Sequence, residues 1–317
     1  PVTSQATDKI ESPAAVSLDW SNPAATAFKK NVEREVGKRL EMLPSLPSVV
    51  MEVIQLVDSE SSSAMDFEKL FSRDQALAAR ILRVANSSFF AQSRTIKSIR
   101  DAIVVLGFRT LKSVVMAATA SKLLNQPAIG YGYMAGGLWK HSLACAAGCK
   151  LVAKLLSRKD KEIEELFVLG LLHDVGKLLL NEFMVEKGVE MVEAQKARGM
   201  TQVQAENLIL GTDHCKVGAM IADQWRLPQE VRQVIRFHEH PGDVRDFRDS
   251  IAFVHGINYL CHKLRFGMVP EAFVREELDI KATSPLGITE DFLLGIQEPM
   301  QEQLRELESL FALLGTN

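Results

Sequence analysis

The chain of 317 residues is poor in cysteine and aromatics and has no strong excess of charge of one sign. Its four cysteines are Cys145, Cys149, Cys215 and Cys261, and only Cys145 and Cys149 stand one helical turn apart. With no second pair at cage spacing, a cysteine-rich zinc cage is excluded. The four read instead as reduced thiols of a cytoplasmic protein. A formal net charge of −3 argues against a nucleic-acid-binding surface. Charges break the apolar runs short of the roughly 18 residues a membrane span needs. The first residues lack the basic region and apolar core of a secretory signal. No stretch alternates at period two as a strand would, so the expected fold is all-α.

What the chain does have is one apolar segment that carries chemistry. Leu166-Phe167-Val168-Leu169-Gly170-Leu171-Leu172-His173-Asp174-Val175-Gly176-Lys177-Leu178-Leu179-Leu180 is apolar almost throughout. As a helix it would be apolar all round and therefore buried. An ionised Asp174 inside it costs several kcal/mol unless something pairs with it. Two readings stay open from chemistry alone. His173 and Asp174 hold a cation such as Zn, Mn, Fe or Ni. Alternatively, Lys177 or a distant arginine neutralises Asp174 while His173 donates to a backbone carbonyl.

Helical periodicity gives the layout. Residues 1–22 are rich in Ser, Thr, Ala and Pro and read as a mobile arm. Phe28, Val32, Val36, Leu40 and Leu43 mark a helix from Pro23 that Pro44 ends. Asp66 is expected to cap a short helix around Phe67, and Ser98 to Asp101 has capping-box spacing. Gly107 allows a break before Leu111 to Leu124. Residues 127–137, rich in glycine and tyrosine, read as a linker between an N-terminal helical half (23–126) and a histidine-bearing half (138–282). From residue 283 the tail is an amphipathic helix, with Met300, Leu304, Leu307, Phe311 and Leu314 at heptad spacing. It either packs on its own domain or joins two copies of the chain.

His-Asp-Val-Gly-Lys in an apolar helix, with His141 upstream, resembles the HD superfamily of metal-dependent phosphohydrolases. Other stretches narrow the resemblance to its HDOD branch, the HD-related output domains of bacterial signalling proteins. These are Leu43-Pro44-Ser45-Leu46-Pro47, Ser98-Ile99-Arg100-Asp101-Ala102-Ile103, and Asp213-His214-Cys215-Lys216-Val217-Gly218 running on to Trp225-Arg226-Leu227-Pro228 and Phe237-His238-Glu239-His240-Pro241. The resemblance covers roughly residues 40 to 265. It implies an HD-like multi-helix bundle and a divalent ion (Mn, Fe, Zn or Ni), weakly or partly bound. His141, His173 and Asp174 match the first ligands, and His214 and His238 match extra ligands of binuclear relatives. Asn258 falls where a final Asp belongs, which leaves one carboxylate instead of two. Glu239 is either a ligand or part of an exposed turn, and the flanking charges favour the turn. Lys177, with Lys140, is the nearest cationic group for a phosphate.

Two functions follow from the resemblance. The favoured one is a signal-transduction output module with a degenerate metal site, acting through other signalling proteins or a bound ligand. The alternative is a metal-dependent phosphohydrolase acting on a nucleotide or cyclic dinucleotide. No Gly-Tyr-Pro loop follows His-Asp; Gly130-Tyr131-Gly132-Tyr133 precedes His141 instead.

Overall fold

Capping chemistry starts many of the helices. In the computed structural model, which describes residues 22–59, 61–87, 90 and 95–312, Asn22 accepts a hydrogen bond from Ala25 N at 2.8 Å. Pro23 fills the first position of α1 (Pro23–Met42). The expected arm over residues 1–22 otherwise lies outside the described residues. Pro47 opens α2 (Ser48–Asp58). The Ser63 N–H and hydroxyl both donate to Asp66 at the start of α3 (Ala64–Phe71). The cap is thus shared, with Ser63 at the N-cap position and Asp66 inside the helix. Asp74 caps α4 (Gln75–Ala85), and Ser98 accepts from Asp101 N at 3.0 Å to begin α5 (Ile99–Leu124).

Gly107 breaks α5 with φ +75° and ψ 158°, a backbone state that glycine enters without penalty. By length and composition alone α5 is apolar enough to cross a membrane, contrary to the sequence expectation. Yet 56% of its apolar window is buried inside the protein, including Leu111, Val115 and Ala117. It packs as a core helix.

The histidine-bearing half contains α6 (Gly137–Leu155), α7 (Asp160–Leu172), α8 (Lys177–Glu186) and α9 (Gly188–Arg198). After these come α10 (Gln202–Leu210), α11 (His214–Gln224), α12 (Gln229–Phe237) and α13 (Arg248–Lys263). The chain ends in α14 (Ile280–Thr283), α15 (Glu290–Gly295) and α16 (Gln297–Ala312). Among the described residues no strand forms beyond isolated bridges at Tyr133. The fold is all-α, as expected.

α6 and α7 pack along each other, with α13 against both and α5 across them. The far side of α6 is covered by α16, where Phe311 meets Trp139 edge-on at 5.8 Å. Met300, Leu304 and Leu307 are buried too, so this apolar stripe is occupied within one chain. Leu314, last of the series, lies outside the described residues. One continuous apolar core includes Val32, Val53, Ile81, Leu143 and Phe311. Trp225 Nε1 donates to Pro44 O at 3.0 Å and fastens the proline-bracketed segment to α11.

Two details depart from the sequence reading. Residues 127–137 are irregular, as expected of a linker, but they also pack into the interior. Ala128, Tyr131 and Tyr133 are buried, and Gly130 N donates to Asn181 Oδ1 at 2.9 Å. The two aromatic rings bury enough area to hold this glycine-rich loop down. The apolar segment 166–180 is also not one helix, because α7 stops at Leu172 and α8 starts at Lys177. Gly176 explains the tight junction. A Cβ there would lie 1.9 Å from His214 O, so only glycine lets this turn abut the start of α11.

Candidate metal centre

Helix ends aim the imidazoles. His173 follows the last residue of α7, and its Nδ1 donates to Gly170 O at 2.8 Å. His238 follows α12 in the same way, with Nδ1 donating to Ile235 O at 3.0 Å. Each ring thereby satisfies a carbonyl that the helix end leaves without a partner. His214 sits at the start of α11, where Glu206 of α10 accepts from both its backbone N and its Nδ1 at 2.8 Å. With Nδ1 occupied, each of these three rings presents Nε2 inward.

All three Nε2 atoms point at Asp174. Its Oδ2 lies 3.3 Å from His141 Nε2 and 3.4 Å from His173 Nε2. Its Oδ1 lies 3.5 Å from His214 Nε2 and 3.6 Å from His238 Nε2. Asn258 on α13 places Oδ1 3.1 Å from His141 Nε2 and 3.2 Å from His173 Nε2. The structure therefore brings the adjacent His173 and Asp174 together with His141, His214, His238 and Asn258 from four other parts of the chain. Every one of these side chains is buried.

The second reading of Asp174 is present as well. Lys177 Nζ donates to Asp174 Oδ2 at 2.5 Å and is itself buried, under the rings of Tyr131 at 5.6 Å and Tyr133 at 5.8 Å. Lys177 is thus committed to Asp174 in this arrangement, and it does not reach out toward a phosphate. Lys140 is farther off still and pairs with Glu308 on α16.

The carboxylate count differs from the sequence expectation. Glu239 does not sit in an exposed turn; its side chain is only 5% exposed. Its Oε1 accepts from Asn258 Nδ2 at 2.9 Å and lies 3.4 Å from His238 Nε2. The α12 helix ends at Phe237, where the sequence pattern ends it, but the chain then turns inward just where charge at Glu239 and Asp243 suggested solvent. Burial favours the neutral acid, but the hydrogen bond and charge of His238 hold Glu239 well below the usual range. Burial and the charge on Glu239 push the neighbouring Glu276 well above it. Glu239 is the ionised partner of that pair. The site holds two carboxylates despite Asn258.

Acceptor atoms face one another across this centre, which requires positive charge among them. Burial pulls the His173 ring down, but the charges on Asp174 and Cys145 outweigh it and raise the ring to about 9. Burial alone would raise Asp174, yet His173 and Lys177 hold it well below the normal carboxylate range. Even so, among the described residues Asp174 Oδ1 and His238 Nε2 have no hydrogen-bond partner. A proton on a ring supplies charge at one point, whereas a divalent ion would satisfy several inward lone pairs at once. Nitrogen and carboxylate donors with Nδ1 fixed by carbonyl or carboxylate suit a first-row transition metal. The residues fit such an ion.

Sequence reasoning missed Glu206, His262 and Glu276. Glu206 carries a readable signal, an acid on the apolar face of a short helix three residues before Ile209. His262 stands one turn after Asn258 and shares its face of α13. Glu276 comes from an irregular segment and has no periodic signal.

An all-helical protein built round a buried His-Asp centre is the class that these features define. A family model, the HDOD domain, matches residues 43–241, and the chain belongs to that family. An HDOD domain protein with unknown function from Geobacter sulfurreducens has a solved structure of similar fold. It is 23% identical, with a TM-score of 0.70, covering 90% of this chain and 99% of that one. A protein from Marinobacter aquaeolei VT8, named as a candidate signal transduction protein, gives a TM-score of 0.67 at 21% identity. There the match covers 95% of this chain and 67% of the other. An uncharacterized protein of Treponema pallidum (strain Nichols) is 24% identical over 254 residues, 75% of this chain. The chain spans only 47% of that relative's length.

Proposed function

We propose that this chain is a regulatory output module of bacterial, cytoplasmic signalling, in which the HD-type centre binds a divalent ion for structure and sensing. Burial carries this reading. Asp174, His141, His173 and His238 are 0% exposed. Tyr131 and Tyr133 cover Lys177 from one side, and Glu276 of the segment after α13 closes another. Metal-assisted hydrolysis needs a phosphoryl oxygen and a water at the ion, with cationic groups free for the remaining charges. Here Lys177 is committed to Asp174, and the donors lie under folded protein. Output then passes through partner proteins or a bound ligand on the helical faces.

The donor set itself favours a second reading, metal-dependent hydrolysis of a nucleotide or cyclic dinucleotide. His141, His173, Asp174, His214 and His238 present ligands for two adjacent ions, and Glu239 adds charge. One experiment separates the readings. The purified chain is assayed for metal by plasma emission spectrometry, then tested for hydrolysis of cyclic dinucleotides and nucleoside triphosphates. The module reading expects retained metal and no turnover. A metal-dependent rate near ~1 per second, lost in His173→Ala, would overturn it.

A further inference from the structure

Two buried side chains are left over from the donor set described above. His262 lies one turn beyond Asn258 on α13, and its ring sits 4.6 Å from that of His141, centroid to centroid. Ligand atoms of His262, His141 and Asp174 all lie within 4.8 Å of one another. The His262 side chain is 5% exposed, and among the described residues neither ring nitrogen has a hydrogen-bond partner. Glu276 approaches from the segment between α13 and α14 with a side chain 7% exposed. Its Oε1 stands 3.8 Å from His262 Nε2 and is likewise without a hydrogen-bond partner among the described residues.

Orphaned polar atoms in a packed interior are rare, because each carries an uncompensated desolvation cost. Packing alone gives no reason for an imidazole here, since an apolar ring would fill the same space without that cost. Both His262 nitrogens are unpaired, and one side of the ring is turned to His141 and Asp174. On the other side lies a carboxyl group, the usual outer partner of a metal-bound imidazole.

We propose that the ion centre extends one turn along α13, with His262 as a further imidazole donor beside His141 and Asp174, oriented by Glu276. The proposal rests on the reading that the centre holds a divalent ion. A further nitrogen donor shifts preference from Mg or Mn toward Zn, Ni or Fe. It also ties the segment bearing Glu276 to the ion.

The test is calorimetric titration of the full chain with zinc, on the unaltered protein and on His262→Gln, Glu276→Gln and His255→Gln. His255 is a buried control with both ring nitrogens occupied, Nδ1 donating to the backbone His238 O at 2.7 Å and Nε2 accepting from Asp279 N at 2.9 Å, so neither is available to an ion. His262→Gln is expected to weaken zinc by about tenfold or more and Glu276→Gln by about tenfold, the range for outer partners. His255→Gln should change it little. Because His262→Gln could fail to fold, the unaltered protein is also loaded with cadmium-113 and its histidine rings labelled with nitrogen-15. A nitrogen–cadmium coupling at His262 is expected. Wild-type affinity in a folded His262→Gln variant, or a bound cadmium with no coupling to His262, overturns the proposal. Failure of the unaltered protein to bind zinc or cadmium overturns the metal reading beneath it, and this proposal falls with it.

Discussion

Replacing the amide of Asn258 by a carboxylate tests the charge argument directly. Asn258 Oδ1 faces His141 and His173, while Nδ2 donates to Glu239 Oε1 at 2.9 Å. Asn258→Asp therefore adds a negative charge toward the ion and also sets two carboxylates side by side. With an effective dielectric near 20, unit charges about 4 Å apart interact by about 4 kcal/mol. A divalent ion at that distance attracts the new charge by about 8 kcal/mol, and because Glu239 favours a protonated carboxyl at 258 in the metal-free chain, the ion must first displace that proton, which offsets up to about 4 kcal/mol. Desolvation of the added carboxylate removes several kcal/mol of the remainder. A net gain of about 1.4 kcal/mol, or tenfold in affinity, is the expected result for Zn or Mn. Without metal the sign reverses, because the new charge meets Glu239 with no ion between them, and the metal-free variant should unfold at a lower temperature than its parent. Calorimetric titration at one pH, with Asn258→Ala for comparison, supplies the numbers. Equal affinities for the unmutated protein and Asn258→Asp would refute the assignment of Asn258 to the ion.

Metal present at a hundred times its Kd should stabilise the chain by about 2.7 kcal/mol, read as a rise of about 5 °C by calorimetry and reversed by chelator. An unchanged midpoint would mean that no ion binds the folded state. Lys177→Met removes the nearest charge from buried Asp174 and should cost about 3 kcal/mol in urea unfolding of the metal-free chain. Zinc should recover part of that loss, and a silent substitution would show that Lys177 is not what neutralises Asp174. His173 is raised to about 9 without metal, so its contribution is complete below the unfolded value near 6.5 and disappears as pH climbs through 9. The chelated protein should lose about 3 kcal/mol across that window, whereas zinc affinity should rise over it as protons leave the rings. Flat stability from pH 6.5 to 9.5 would place no proton on His173.

Periodicity made most helices legible because each buries one stripe. α1, α4 and α16 show it plainly, with Val32 and Val36, Leu77 and Ile81, Met300 and Leu304 on their inner faces. It failed where burial is complete. The run 166–180 is apolar on every side, so nothing in its pattern marks the stop at Leu172; that stop depends on Gly176 meeting the α11 backbone. The loop 127–137 misled for the opposite reason. Its glycines dominate the local composition, while its packing depends on two tyrosines whose partners stand elsewhere in the chain.

Within the site, residues with a helical register could be placed from sequence, and those set by a chain reversal could not. Asn258 follows Val254 by one turn of α13, so its face was legible, and by the same step His262 was legible although unread. Glu239 lies two residues past the end of α12, where the direction of the turn, not the position of the helix stop, decides between solvent and interior. Flanking charge pointed to solvent, but the α12 end directs Glu239 to Asn258 and His238. That single turn alters the chemistry of the centre. A site read from sequence as short of a carboxylate contains Asp174 and an ionised Glu239, with Asn258 acting between them as donor to one and neighbour to the imidazoles of the other. The amide at 258 is consistent with that geometry, since a carboxylate there would have no hydrogen to give Glu239. An amide at 258, where the resemblance implies a final Asp, therefore goes with a carboxylate at Glu239, and is not by itself a sign that the centre is unable to bind a cation.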